Sequence, residues 1–308
     1  MPHVTFIHGI GNKPEREQLR QIWLRSLAAA GGLDLGAEGV TSAMVYWADV
    51  LHAEPDPNVA AYEAAALDEH GVEADPAADV PTADSADEAL FLAGIAAKLG
   101  GTLAAAELAA EPQARGTDLA LERIPLPWPI KKLFLKNFLR DVHDYLFNAD
   151  SSPRPGEHYK VRDEIRSRFV RAVKDAPQDD VHVVVSHSMG TVIAYDCLKN
   201  VADCPRVDAL VTIGSPLGLD EVQDKLDPGY SRRDGYPDFR SSTPWVNLFD
   251  RLDPVCGFDP ILANDFERGG VKAIDDVQVV NPGSWRHSAV KYLAQAELRT
   301  RLAAALGL

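Results

Sequence analysis

The chain has 308 residues, of which 46% are hydrophobic and 25% charged, and its formal net charge is −15. This length and composition predict one large globular domain, and no apolar run approaches the roughly 20 residues that span a bilayer. The N-terminus MPHVTFIHGIG has no basic region before its apolar residues, so we expect no signal peptide and a cytoplasmic location. The three cysteines lack metal-ligand spacing and predict neither a zinc site nor a disulfide framework.

The negative charge is concentrated in one part of the chain. Between Arg25 and Lys98 there are 14 Asp and Glu residues and no Lys or Arg, whereas the rest of the chain is close to neutral. A segment of this charge repels a phosphate backbone, so nucleic acid is not expected as a partner. We expect a solvated acidic segment, mostly loop, from about residue 51 to residue 90.

The first half of the chain begins with a strand pattern and then turns helical. A strand over 3–7 runs into the turn HGIG, and a helix over 15–30 follows, with Leu19, Ile22, Trp23 and Leu27 on one face. After a second strand over 40–47, apolar periodicity predicts helices over the following ranges: 90–110, 130–146 and 158–175. The proline-rich stretch IPLPWP at 124–129 separates the first two of these helices.

The second half of the chain alternates strand and helix patterns. Strands are predicted over 181–185, 207–213, 244–249 and 277–280, and a final helix over 287–306. Such alternation predicts an α/β fold, with a mostly parallel sheet flanked by helices. We expect one domain over residues 1–308, interrupted by an insertion at about 51–150.

The strand pattern at 181–185 ends abruptly in SHSMG (186–190), and a helix pattern follows at once. In a strand–nucleophile–helix turn, the residues two before and two after the nucleophile face neighbouring backbone and must be small. Ser188 meets this condition with Ser186 and Gly190, whereas Ser186 would place a β-branched residue at the tightest point. Ser188 is therefore the predicted nucleophile, and the alternative is a serine that only caps the helix.

With HGIG after the first strand and HSMG at the turn, the chain resembles the α/β-hydrolase superfamily, and within it bacterial lipases and esterases. The resemblance covers residues 1–50 and 155–308. It implies an α/β-hydrolase fold in which the insertion at 51–150 forms a largely helical cap or lid. It also implies a serine hydrolase, for which we expect no cofactor. The histidine pairs His3/His8 and His182/His187 are spaced five apart and lack the other ligands of a zinc site, so no metal is predicted, with a calcium site left open.

The resemblance also implies the partners of the nucleophile. In this superfamily the order along the chain is serine, acid, histidine, and His287 is the only histidine after Ser188. His287 is thus the expected general base. Asp253, in the turn after the strand at 244–249, is the favoured acid, and Asp250 at the tip of that strand stays as the alternative.

An oxyanion formed during ester cleavage needs two N–H donors held in place. The backbone N–H of Met189 is one expected donor, and by resemblance the N–H of Ile10 is the other. Gly9 and Gly11 would let this loop approach the reacting carbon. His8 is expected to orient the loop and not to act as a base.

The predicted helix at 130–146 leaves three interpretations open: packing onto the sheet, a lid that shapes an acyl pocket, or an interfacial helix that contacts anionic lipid. This segment carries four aromatic residues, Trp128, Phe134, Phe138 and Phe147. Three lysines, Lys131, Lys132 and Lys136, lie on the other side of the helix.

These residues together predict a serine hydrolase that cleaves carboxylic esters through an acyl-enzyme on Ser188. Its expected partner is a small-molecule or lipid ester, and membrane contact is the least favoured interpretation. The alternatives are an acyltransferase or phospholipase of the same fold, and a binding protein that retains the fold without catalysis.

Overall fold

The computed structural model describes the following residues: 1–59, 80–110, 128–226, 229–241, 244–283 and 285–308. Half of the predicted acidic loop at 51–90 and most of the predicted proline break at 124–129 lie outside these ranges.

Six parallel strands form the central sheet. In chain order they are β1 (His3–Ile7), β2 (Thr41–Val45), β3 (His182–His187), β4 (Ala209–Ile213), β5 (Trp245–Phe249) and β6 (Asp275–Gln278). Across the sheet the order is β6-β5-β4-β3-β1-β2, and the carboxyl ends of all six strands share one edge. Strands β1, β3 and β4 are buried along their whole length, as expected when helices cover both faces of a parallel sheet.

Helices cover the two faces of this sheet. They are α1 (Arg16–Ala28), α2 (Ala86–Ala110), α3 (Trp128–Leu146), α4 (Val161–Asp175), α5 (Met189–Asn200), α6 (Asp220–Gln223), α7 (Ala289–Leu293) and α8 (Ala296–Leu306). Two short ribbons lie outside the sheet, Asp150–Ser151 with Tyr159–Lys160 and Glu267–Arg268 with Val271–Lys272.

The core has two layers because side chains alternate along each strand. Val183 and Val185 of β3 pack in one hydrophobic cluster with α1, α7 and α8, whereas Val184 packs in the other with α2 to α5. The predicted parallel α/β architecture is therefore confirmed. The predicted apolar face of α1 is also buried.

Two predicted boundaries are wrong, and in both cases a side chain explains the difference. Strand β2 ends at Val45 and not at residue 47, since the N–H of Trp47 donates to Nε2 of His8 at 3.0 Å instead of continuing a strand. The final helix is two helices, because Gln295 has an extended backbone. The side-chain amide of Gln295 donates to the Val280 carbonyl at 3.0 Å, and this hydrogen bond holds the turn between α7 and α8.

Smaller differences concern the ends of other elements. Strand β6 covers Asp275–Gln278 and not 277–280, and Val280 is 65% exposed. Strand β4 begins at Ala209, two residues after the predicted start. None of these shifts moves a predicted site residue away from the carboxyl edge of the sheet.

Candidate active site

The HGIG loop and the three predicted catalytic residues all follow strands at the carboxyl edge of the sheet. The HGIG loop follows β1, and Ser188 directly follows β3. Asp253 lies in the turn after β5, and His287 lies in the loop between β6 and α7. Because parallel strands bring their carboxyl ends together, segments far apart in the chain meet at one place, the usual position of a ligand site in open α/β sheets.

Ser188 occupies a sharp turn between β3 and α5. Its backbone has φ 55° and ψ −128°, a conformation that residues other than glycine seldom adopt. The turn is held by the N–H of Ser188, which donates to the carbonyl of Ile213 at 3.1 Å. A Cβ atom at Gly190 would lie 2.6 Å from the His8 carbonyl oxygen and 2.7 Å from that of Ile7, so only glycine fits there.

The structure brings Ser188, His287 and Asp253 into one hydrogen-bonded line. Nε2 of His287 lies 2.9 Å from Oγ of Ser188, and its Nδ1 lies 2.9 Å from each carboxylate oxygen of Asp253. A carboxylate can only accept, so Nδ1 carries the proton and Nε2 accepts from the serine hydroxyl. Ser186 is not part of this hydrogen-bonded line, because its hydroxyl donates to the Val211 carbonyl at 3.1 Å.

The Asp253 carboxylate is fully buried and accepts several hydrogen bonds. Besides His287, the hydroxyl of Tyr292 donates to it at 2.7 Å and the N–H of Val255 at 2.8 Å. Burial on its own raises the pKa of Asp253, but the charge of His287 and these hydrogen bonds outweigh burial and lower the pKa below its ordinary value. Asp253 is therefore ionised at neutral pH.

The alternative acid, Asp250, holds the loops around the site instead. Its Oδ1 accepts the N–H of Leu252 at 2.9 Å, and its Oδ2 accepts the N–H of Asn281 at 2.7 Å and the guanidinium of Arg286 at 3.0 Å. Asp250 thus joins the turn after β5 to the residue next to His287. This geometry favours Asp253 as the partner of the imidazole.

Gly214 and Tyr292 contribute to the site although sequence reasoning did not single them out. Gly214 directly follows β4 and has φ +57°. A Cβ atom there would lie 3.0 Å from Oδ2 of Asp253 and 3.1 Å from Nδ1 of His287. In the sequence, Gly214 is marked only as a glycine immediately after an apolar strand pattern. Tyr292 resembles an ordinary core residue of the last predicted helix.

His8 bonds within and beside the loop after β1. Its Nε2 accepts the N–H of Trp47, so its Nδ1 carries the proton and donates to the Gly9 carbonyl at 2.8 Å. The indole N–H of Trp47 donates to the His8 carbonyl at 3.0 Å, and the two rings are stacked. Burial, followed by the charge of Lys13, holds the pKa of His8 well below its ordinary value, which keeps the ring neutral.

The loop lies directly against the nucleophile. A Cβ atom at Gly9 would be only 2.6 Å from Cβ of Ser188, so this close approach requires glycine. The two expected oxyanion donors, the N–H groups of Ile10 and Met189, make no hydrogen bond to any residue that the structure describes. Both residues are buried.

His187 directly precedes Ser188 and contacts His287. Its ring stacks on that of His287 with centroids 4.7 Å apart and an angle of 30° between the planes. Burial, followed by the charge of His287, holds the pKa of His187 well below its ordinary value. A neutral ring therefore supports one face of His287, and within the described residues neither of its nitrogens has a hydrogen-bond partner.

Helix α3 covers the site. The Phe134 ring lies edge-on to His287, with centroids 5.6 Å apart, and to Trp285, with centroids 4.8 Å apart. Ser188 is 0% exposed and His287 only 4% exposed in this arrangement. Phe138 is buried in the same cluster, so the aromatic side of α3 faces inward wherever its side chains are described.

Among the residues that the structure describes, no group of three His, Cys, Asp or Glu side chains is arranged to hold a metal ion. In the same part of the chain, no helix combines the length and the apolar character needed to cross a membrane. A scan against models of known protein families gave no match, and a search of curated proteins found no similar sequence.

Proposed function

We propose that the protein is a serine hydrolase of the α/β-hydrolase type that cleaves carboxylic esters through an acyl-enzyme on Ser188. The observation that carries this proposal is the hydrogen-bonded line from Asp253 through His287 to Oγ of Ser188. An ionised, buried acid, an oriented imidazole and a hydroxyl in a strained turn form the arrangement that activates a serine.

The reaction begins with attack of Oγ of Ser188 on the ester carbonyl carbon while Nε2 of His287 takes the hydroxyl proton. Asp253 accepts a hydrogen bond from the Nδ1–H group of His287 and so stabilises the imidazolium, without taking the proton. The oxyanion accepts hydrogen bonds from the N–H groups of Ile10 and Met189. His287 then protonates the leaving alcohol, and water, activated by the same imidazole, releases the acid from the enzyme.

The test combines a fluorophosphonate probe with short-chain nitrophenyl esters. Wild-type protein should be labelled on Ser188 and should hydrolyse the esters. Ser188→Ala should lose labelling and about 10⁴-fold or more of kcat, as expected when the nucleophile is removed. Ser186→Ala is the matched control: it removes a hydroxyl that bonds the Val211 carbonyl, and it should stay active.

Full turnover by Ser188→Ala would overturn the proposal. Failure of the wild-type protein to react with any probe would instead favour a binding protein of the same fold.

Acyl transfer to an alcohol is a second candidate, favoured by the burial of the nucleophile. Ser188 is 0% exposed and the Phe134 and Trp285 rings lie against its neighbour His287, and a covered site restricts the access of water to an acyl-enzyme. Product analysis in the presence of alcohol acceptors separates the two reactions. A new ester as the main product would indicate a transferase, and free acid a hydrolase.

A further inference from the structure

The peptide group between Ile10 and Gly11 is held at both ends by charged side chains. Its carbonyl oxygen accepts a hydrogen bond from the ammonium of Lys13, and its N–H donates to Oδ2 of Asp141 at 2.6 Å. Lys13 and Asp141 are each only 1% exposed. Burying a charge is costly unless it is well hydrogen-bonded, so two buried charges on one peptide group indicate a position that must not move.

The preceding peptide group carries the expected oxyanion donor. It joins Gly9 to Ile10, and its carbonyl oxygen accepts a hydrogen bond from Nδ1 of His8 at 2.8 Å. A trans peptide group is planar, so fixing its carbonyl also fixes the opposite direction of its N–H. Ile10 lies between two held peptide groups, and its φ and ψ angles cannot change without breaking one of these hydrogen bonds.

Asp141 reaches this loop from the helix that covers the site. It lies on α3, 130 residues after Gly11 in the chain, and its second oxygen accepts from the guanidinium of Arg140 at 2.9 Å. Helix α3 therefore does more than place Phe134 over His287. It also supplies the acceptor that holds the loop after β1.

We propose that Asp141 and Lys13 are positioning residues that hold Ile10, and with it the Ile10 N–H, in place for the developing oxyanion, an inference that rests on the proposed ester hydrolysis. Loss of either hydrogen bond frees the Ile10–Gly11 peptide group, so the chain after Ile10 no longer holds this residue, and only the His8 hydrogen bond then restrains the donor against a shift of a fraction of an ångström. The variant then loses stabilisation of the transition state, in which negative charge develops on oxygen, whereas substrate binding hardly changes.

The test compares an ester with its thionoester, in which sulfur, a weak hydrogen-bond acceptor, replaces the carbonyl oxygen. Asp141→Ala should lower kcat for the ester by about 10- to 100-fold, since a donor displaced by a fraction of an ångström loses much of its effect. KM should stay near its wild-type value, and the thionoester rate should fall much less. Asp141→Asn keeps an oxygen that accepts the Gly11 N–H and should retain most of the ester rate.

The matched control is Asp144→Ala on the same helix, because the Asp144 carboxylate bonds His143 and not the loop. Its ester and thionoester rates should both stay unchanged. Lys13→Met removes the other hydrogen bond of the same peptide group and should repeat the ester-selective loss. It provides a second test if thermal unfolding shows that Asp141→Ala does not fold.

Equal loss with the ester and the thionoester, in folded variants, would overturn the positioning role and leave a merely structural one. An Asp141→Asn variant as impaired as Asp141→Ala would also overturn it. A wild-type protein that hydrolyses neither substrate and takes no label on Ser188 would instead mean that the proposed function has failed, and the inference would fail with it.

Discussion

Gly214 leaves the space in which the imidazole of His287 and the carboxylate of Asp253 meet. A methyl group at this position would touch both partners of that pair, at 3.0 Å and 3.1 Å. The residue also has φ +57°, where an L-amino acid is disfavoured. The geometry of the pair therefore depends on the absence of a side chain in a neighbouring loop.

We expect Gly214→Ala to cost about 1–2 kcal/mol of stability from the left-handed backbone and to displace the Asp253–His287 pair as well. The rate of ester cleavage should fall about 10- to 100-fold, since misplacement of the base acts directly on proton transfer. The matched control is Gly39→Ala, because Gly39 has φ +71° and nothing within 4 Å of an added methyl group. Urea unfolding and ester kinetics measure the two effects.

Gly39→Ala should show a similar loss of stability but full activity. If Gly214→Ala were fully active as well, the steric role of Gly214 would be wrong.

The residues of the candidate site differ in how far the sequence reveals them. The nucleophile turn and the order of residues along the chain single out Ser188 and His287, and the structure places them in contact. Asp250 and Asp253 share one turn, and a sequence pattern does not tell which carboxylate points at the imidazole. Asp141 carries no signal, because an acid in an amphipathic helix ordinarily lies on the solvated face.

Helix α3 is fixed firmly near its end and covers the site near its beginning. The hydroxyl of Tyr145 donates to the buried carboxylate of Asp196 at 2.6 Å, and two nitrogens of Arg166 donate to the same carboxylate at 2.7 Å each. Phe134, about three turns earlier, rests on His287. Substrate entry is thus expected to involve the first half of α3, while its second half stays in place.

Phe134→Ala should open a path to Ser188. A bulky fluorophosphonate should label the variant at least about threefold faster than the wild-type protein, since a covering side chain limits access. A small fluorophosphonate should show less difference. Leu135→Ala is the control, because Leu135 lies next to Phe134 on the same helix and is only partly buried.

Equal labelling rates for Phe134→Ala and wild-type protein would show that Phe134 does not limit access to the nucleophile.

The hydrophobic pattern of the sequence predicts which helices and strands form, but not the residues at which they end. Strands β1, β3 and β4 are recognisable because they are buried throughout and rich in β-branched residues. The ends of β2 and α7 depend on hydrogen bonds from Trp47 to His8 and from Gln295 to Val280. These partners are distant in the sequence, so local pattern does not reveal them.

Buried neutral histidines link the stability of the whole molecule to pH. Burial, followed by the charge of His3, lowers the pKa of His182 to about 3. Burial also holds the pKa values of His8 and His187 well below their ordinary value. In the unfolded chain each of these rings takes up a proton near pH 6.5. The unfolded state therefore binds more protons as the pH falls below that value, and the folded state loses stability.

We expect the free energy of unfolding to decrease as the pH is lowered from about 7 to about 5, by up to about 1.4 kcal/mol per pH unit for each such histidine. Urea unfolding at a series of pH values measures this dependence. His182→Gln removes one titrating ring and keeps an amide in reach of Thr5. The slope of its unfolding free energy against pH should therefore correspond to the uptake of one proton fewer. A slope identical to that of the wild-type protein would contradict the assignment.

The hydrogen bond between Gly11 and Asp141 also bears on how such a protein can diversify. Exchanging the segment between β2 and α4 for another is an obvious way to give the same sheet a new substrate range. In this molecule the exchange would remove the acceptor of the Gly11 N–H together with the covering helix. We therefore expect the loop after β1 and helix α3 to be exchanged successfully only together. A chimera with a new helix would need a carboxylate or an amide at the position of Asp141.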